Sequence, residues 1–201
     1  MSKVDVLDTS GQVVSGPSKK RFRLPSLGLI FFCVMVAWGI EIFDVFLGGS
    51  LDAFGIHPRT GFGLVGVLTM PWLHGNFPHL ISNTVTFMIL GYLMHAAEQA
   101  RFVKTSVLII ILSGLGTWLI GRSGSVHIGA SALIYGYFGY LVTRAFLEKR
   151  VLWVLFGIVL LVLYGGMLWG VLPLEEGVSW EGHLMGLLAG HWMARRNVKK
   201  K

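Results

Sequence analysis

Charge is what this chain has least of. Only 13% of its 201 residues are Asp, Glu, Lys or Arg, against 54% hydrophobic, where a soluble domain carries about a quarter charged. With a mean hydropathy of +0.68, that deficit excludes a water-soluble globular fold and makes the chain a membrane protein. A single cysteine, Cys33, excludes an intramolecular disulfide. No HExxH occurs, and no carboxylate shares a helical face with His74, His79, His127 or His183. This argues against a metal hydrolase or a metal transporter and leaves neither metal nor cofactor to expect. No basic patch is interleaved with stacking aromatics, so the net charge of +7 does not read as nucleic-acid binding.

What the chain does have is apolar runs. Six approach the roughly 20-residue length that crosses a bilayer, at 25–47, 77–97, 105–120, 130–146, 151–172 and 181–194. The expected fold is therefore an all-α polytopic bundle of six transmembrane helices over 25–196, preceded by a disordered basic arm at 1–24 and followed by a basic tail at 197–201. The first run is too long for a signal segment and lacks a small-residue cleavage site, so it is expected to be retained. Six crossings put both termini on one side. Lys3, Lys19, Lys20, Arg21 and Arg23 precede the first run, Arg101 and Lys104 separate the second and third, Arg144, Lys149 and Arg150 flank the turn between the fourth and fifth, and Arg195, Arg196, Lys199, Lys200 and Lys201 end the chain. Only Arg59 and Arg122 remain for the other face. The positive-inside bias makes the termini cytoplasmic in a cell membrane, with the bilayer and its anionic lipids as a partner.

Several polar residues interrupt these runs. Glu41 and Asp44, three apart near the outer end of the first, are expected to face other helices or the headgroups. The segment from Gly48 to Leu73 is too apolar to float in water and too broken to span, so it is expected in the outer interface. The second run opens His74-Gly75-Asn76-Phe77-Pro78-His79, with Asn83 one turn below His79 on the same face. The fourth opens Gly129-Ala130-Ser131. From Ser131 to Arg144 is about 20 Å of helix; with Arg144 at the cytoplasmic interface, Ser131 lies roughly 10 Å beneath the outer one. In the sixth, His183 lies about 18 Å from Arg195 by the same rise, at nearly the depth of Ser131. Gly182, Gly186 and Gly190 form a seam beside it for close helix packing.

A hydroxyl and an imidazole at matched depth on different helices are the minimum for acyl transfer, the ring taking the serine proton and returning it to the leaving amine. The Ser131 backbone N–H near a helix N-terminus, with His79 and Asn83, supplies donors for an oxyanion. Tyr135, one turn below Ser131, is placed to stack on His183 and hold it. Glu181 sits two residues from His183 and points off its face, so a dyad is expected rather than a triad.

Gly129-Ala130-Ser131 with Tyr135, His79-x-x-x-Asn83, and His183-x-x-Gly186-x-x-x-Gly190, on the fourth, second and sixth helices, resemble the rhomboid family of intramembrane serine proteases. The resemblance spans about 59–195. It implies a six-helix rhomboid-like bundle and a cofactor-free serine endopeptidase that cleaves single-pass transmembrane proteins in or near their membrane segment. Access would run past the fifth helix and the outer loop before the sixth. In it Ser131 matches the nucleophile, His183 the base, His79 and Asn83 the oxyanion donors, Tyr135 the stacking ring, and His74 a structural histidine. Two departures stand out. Ala132 replaces a glycine common after the serine, its methyl directed at the substrate backbone; and Pro58-Arg59 stands where many members carry Trp-Arg. The competing expectation is an inactive rhomboid-like protein that binds membrane clients, although such relatives usually lose the serine or the base.

Overall fold

The computed structural model describes residues 27–198 together with Val6–Leu7 and Val13–Val14. The two short segments are strands β1 and β2, paired antiparallel. The remainder of the arm expected at 1–24, and residues 199–201 of the tail, lie outside the described residues.

Each apolar run becomes a helix, because a backbone in hydrocarbon must satisfy its own N–H and C=O groups. In chain order these are α1 (Leu27–Phe46), the one-turn α2 (Gly66–Thr69), α3 (Phe77–Ala97), α4 (Phe102–Ile120), α5 (Ser131–Leu147), α6 (Val151–Tyr164) and α7 (Trp180–Val198). The fifth run bends: at Gly165 it tightens into a 3₁₀ helix that ends at Val171. Four described helices are long and apolar enough to cross a membrane, namely α1, α3, α4 and the continuous stretch Val151–Val171. The chain is a multi-pass membrane protein.

The other two helices differ for a physical reason. α5 has 17 residues, about 26 Å of helix against a hydrocarbon core of about 30 Å. α7 carries Glu181, His183, His191, Arg195 and Arg196 among its apolar residues. Both are inner helices, and their mutual packing is the most extensive in the molecule; α5 also contacts α3, α4 and α6. Small residues make this possible. A side chain at Gly190 would strike the Gly136 carbonyl, and one at Gly186 the Ala132 carbonyl. Gly182 lies off this seam and faces Ser179 and Thr117.

Near the far end of α5, Arg144 is only 4% exposed. Its guanidinium donates to Glu98 and to the Ala97 carbonyl, pairs with Glu148, and lies 4.6 Å over the Trp153 ring. Arg144, the interfacial marker of the depth argument above, is thus a buried, fully engaged cation in the last turn of α5.

The segment between α1 and α3 is a chain of 3₁₀ turns around α2. It lies against α4, where a side chain at Gly114 would come within 2.9 Å of Val67, while Phe54, Phe62, Leu64 and Leu68 remain exposed. Glu41 and Asp44 are both buried, and Asp44 accepts the Leu51 N–H at 2.7 Å to start the first of these turns. Arg59 anchors the segment with a left-handed backbone (φ 60°). It donates to the Leu119 and Gly121 carbonyls at 2.9 and 2.8 Å and to the Ser123 hydroxyl. An indole reaches this segment from α4: Trp118 Nε1 donates to the Thr60 carbonyl at 2.8 Å.

Candidate active site

Ser131 is the first residue of α5. The turn before it depends on Gly129, whose φ of 110° is strained for any other residue. A Cβ there would also come within 2.7 Å of His79 Cε1 and 3.4 Å of Asn83 Nδ2. Lacking one, the loop brings Ser131 beside the polar face of α3. Gly129 donates its N–H to the Met70 carbonyl at 2.9 Å, and Ala130 donates to His74 Nε2 at 3.4 Å. His74 thus props up the approach to Ser131 from below.

Ser131 Oγ and His183 Nε2 are 2.9 Å apart. His183 Nδ1 lies 2.8 Å from the Gly170 carbonyl. A carbonyl can only accept, so Nδ1 carries the proton and Nε2 presents its lone pair to the serine O–H. The Tyr135 ring stacks on this imidazole with centroids 4.1 Å apart and planes 8° from parallel. Its hydroxyl donates to the Met167 carbonyl at 2.8 Å, so one 3₁₀ segment is tied to both rings. Glu181 does not touch His183. It is fully buried and accepts from the Arg122 N–H and Nε at 3.1 and 3.0 Å.

On α3, Asn76 caps the helix by accepting the His79 N–H at 2.8 Å. The His79 and His74 rings meet edge to face, 5.1 Å apart. Asn83 is 7% exposed, and its Nδ2 has no hydrogen-bond partner among the described residues. A buried donor left free in this way costs stability. Asn83, His79, Ser131 and His183 all line a cavity of about 630 Å³, within the usual range for a ligand site. The cavity is bounded further by Tyr135 and Met167, and by Gly177 to Ser179 of the loop before α7. Ala132 does not line it. Its methyl is buried with Ile56 and Met70, so it crowds the outer segment rather than a bound chain.

Sequence reasoning missed three contributions. The Gly170 carbonyl holds the Nδ1 side of the His183 ring, yet a backbone carbonyl leaves no mark in composition. His127 is buried between Ser179 and Ser125, at 2.5 and 2.9 Å, pinning the outer loop to the start of α7. Val178 accepts from Arg122 and joins the same latch. Only the Ser-Gly-Ser-Val-His run hinted at these. Of the four histidines weighed as metal ligands, His74 and His79 adjoin, His79 and His183 line the same cavity, and His127 serves the latch. Among the described residues no three His, Cys, Asp or Glu side chains converge.

Two buried histidines outside the spans, His74 and His127, also set a pH limit. Burial, then the adjacent His79 ring, pulls His74 down to about 4, and burial lowers His127; both are neutral in the fold, whereas unfolded they titrate near roughly 6.5. Below that value the unfolded state binds more protons, so the stabilisation is complete above it and is lost as pH falls toward about 4. The thermal unfolding midpoint in detergent is expected to drop over this window, and His74→Asn to flatten the dependence. A midpoint equally pH-dependent in both proteins would contradict the assignment.

Comparison with known proteins gives the same picture at the level of descent. The Rhomboid domain is matched by residues 62–199. An uncharacterized protein of Mycobacterium tuberculosis is 42% identical over 165 residues, which cover 78% of this chain and 69% of that one. An uncharacterized protein of Mycobacterium leprae is 38% identical over 159 residues, 75% of this chain and 63% of the relative. RHOMBOID-like protein 5 of Arabidopsis thaliana is 28% identical over 131 residues, 61% of this chain and 40% of the relative. The domain match takes in α3, α5 and α7, whose side chains line the cavity, and the chain belongs to the rhomboid family.

Proposed function

We propose that this protein is an intramembrane serine endopeptidase that cleaves single-pass transmembrane proteins in or beside their membrane segment. The observation that carries the reading is the 2.9 Å approach of Ser131 Oγ to a His183 nitrogen whose opposite edge is held by a carbonyl. In this mechanism His183 Nε2 removes the serine proton as Oγ adds to the scissile carbonyl. The oxyanion is received by the Ser131 N–H and by His79 and Asn83. His183 then protonates the departing amine, and a water, deprotonated by the same ring, hydrolyses the acyl-enzyme. Tyr135 keeps the imidazole in plane through these transfers. All six long helices cross the bilayer in this reading, α5 and α7 shielded by the others, with both termini cytoplasmic and the cavity toward the outer face.

The polar cavity solves the problem of hydrolysis beneath a membrane surface by keeping water beside the serine. Access for the substrate runs past α6, of which only Gly157 and Leu160 are buried, and past the 3₁₀ turn that follows. The test is labelling of the purified protein by a fluorophosphonate, with mass spectrometry expected to find the adduct on Ser131; an adduct only elsewhere overturns the proposal. Asn83→Ala removes the free Nδ2 and is expected to lower kcat on a transmembrane substrate by about 10²–10³-fold with KM little changed. An unchanged kcat would remove Asn83 from the oxyanion site.

A further inference from the structure

A second cavity, of about 180 Å³, opens between α1 and α4 and is floored by α3 and α5. Three exposed aliphatics, Leu29 on α1 and Val103 and Val107 on α4, line its rim. Inside, Cys33 and Ala37 face it from α1 and Phe87 from α3. The wall hydroxyls are already used within the protein: Ser106 bonds Tyr137 and the Phe102 carbonyl, and Thr84 accepts from Trp38. The groove thus offers hydrocarbon almost alone, and three of the helices that form it are those able to cross a membrane. What stands at its mouth is lipid rather than water. Beside the rim the charge is of one sign. Lys104, between Val103 and Val107 in sequence, is exposed, and Arg101 precedes it; Glu98, the acid before them, is committed to Arg144.

We propose that this groove binds one acyl chain of an anionic bilayer phospholipid, with the phosphate-bearing headgroup held at Lys104 beside the mouth. An unbranched chain fills a narrow apolar slot between helices that a water molecule cannot occupy favourably, and a basic residue at the surface contributes attraction for an anionic headgroup. The closed end of the groove is formed by His74, Asn83 and Ala130. Asn83 therefore lines both cavities, and the bound chain buttresses it from behind. That consequence for cleavage rests on the protease reading, whereas the binding does not.

The test uses the full-length protein in phosphatidylcholine nanodiscs containing a small fraction of phosphatidylglycerol with a photoreactive acyl chain. Cross-links mapped by mass spectrometry are expected to concentrate on the facing residues of α1 and α4. Unlabelled phosphatidylglycerol is expected to compete about fivefold better than phosphatidylcholine, the preference a single basic residue supplies. Lys104→Glu should erase that preference. Val107→Trp, which caps the mouth from an exposed position, should bring α1 and α4 labelling down to the level on α6, and neither variant should move the unfolding midpoint. Cross-links spread evenly over the lipid-facing helices, equal competition by the two lipids, or labelling indifferent to both variants would overturn the proposal. Because the readout is a cross-link and not cleavage, an inactive protein would leave it intact.

Discussion

Replacing Ser131 by alanine is expected to lower cleavage of a transmembrane substrate in proteoliposomes by at least about 10⁴-fold. In the proposed mechanism the hydroxyl oxygen becomes bonded to the substrate, and among the described residues no other serine hydroxyl meets the His183 ring, whose second nitrogen faces the Gly170 carbonyl. His183→Ala should fall by a similar factor, and the double variant scarcely further, because the two residues act as one unit. Ser82 lines the same cavity but has no imidazole partner, so Ser82→Ala should cleave at close to the unmodified rate. The measurement is product formation over time with the protein level held constant. Cleavage that survives Ser131→Ala would place the nucleophile elsewhere, whereas no cleavage by the unmodified protein would make this chain a client-binding member of its family.

The second large effect is expected at Gly190. Leucine at this position would drive its Cβ into the Gly136 carbonyl and close to the Tyr140 nitrogen. A backbone oxygen inside a helix cannot rotate aside, so α5 and α7 must separate. Overpacking costs up to about 3 kcal/mol where the neighbours can adjust, and here they have little room. Gly190→Leu should therefore lower the unfolding midpoint in detergent well below that of the unmodified protein. It should also abolish cleavage in whatever fraction remains folded, since a displacement of about 1 Å between reacting groups already costs about 10²-fold. Gly39 is the control, for a side chain there meets nothing within 4 Å; Gly39→Ala should leave both properties as they are. Equal stability of Gly190→Leu would mean that the seam does not set the distance between Ser131 and His183.

The helices were legible in the sequence because hydrocarbon imposes a length and a composition that a chain of 201 residues shows plainly. The second run, 77–97, matches α3 to the residue. The third begins three residues earlier than the apolar pattern, at Phe102, since Lys104 is tolerated in a first turn that reaches the membrane edge. The meeting of Ser131 with His183 follows from their similar spacing to basic residues near the ends of their helices. Arg144, one of those residues, is in a buried ion pair in the last turn of α5, and the register of α5 against α7 is held by the glycines at 186 and 190. The directions of small side chains were not legible. Whether the Ala132 methyl faces the cavity or the outer segment depends on the rotation of α5, which is set by tertiary packing and carries no local signal. The Gly170 carbonyl was out of reach for a related reason, because every residue has one and only the fold says which is aimed at an imidazole.

One short stretch of chain, Gly165–Val171, carries both carbonyls that the two stacked rings depend on: Met167 receives the phenol and Gly170 the imidazole. In the proposed function that stretch also flanks the route by which a substrate arrives. It follows that admitting a helix and arming the base are mechanically linked. If the stretch swings outward, the ring loses the contact that fixes which nitrogen is bare, and the alcohol goes unactivated until the stretch returns. Under that reading, whatever drifts against an open doorway is spared premature hydrolysis.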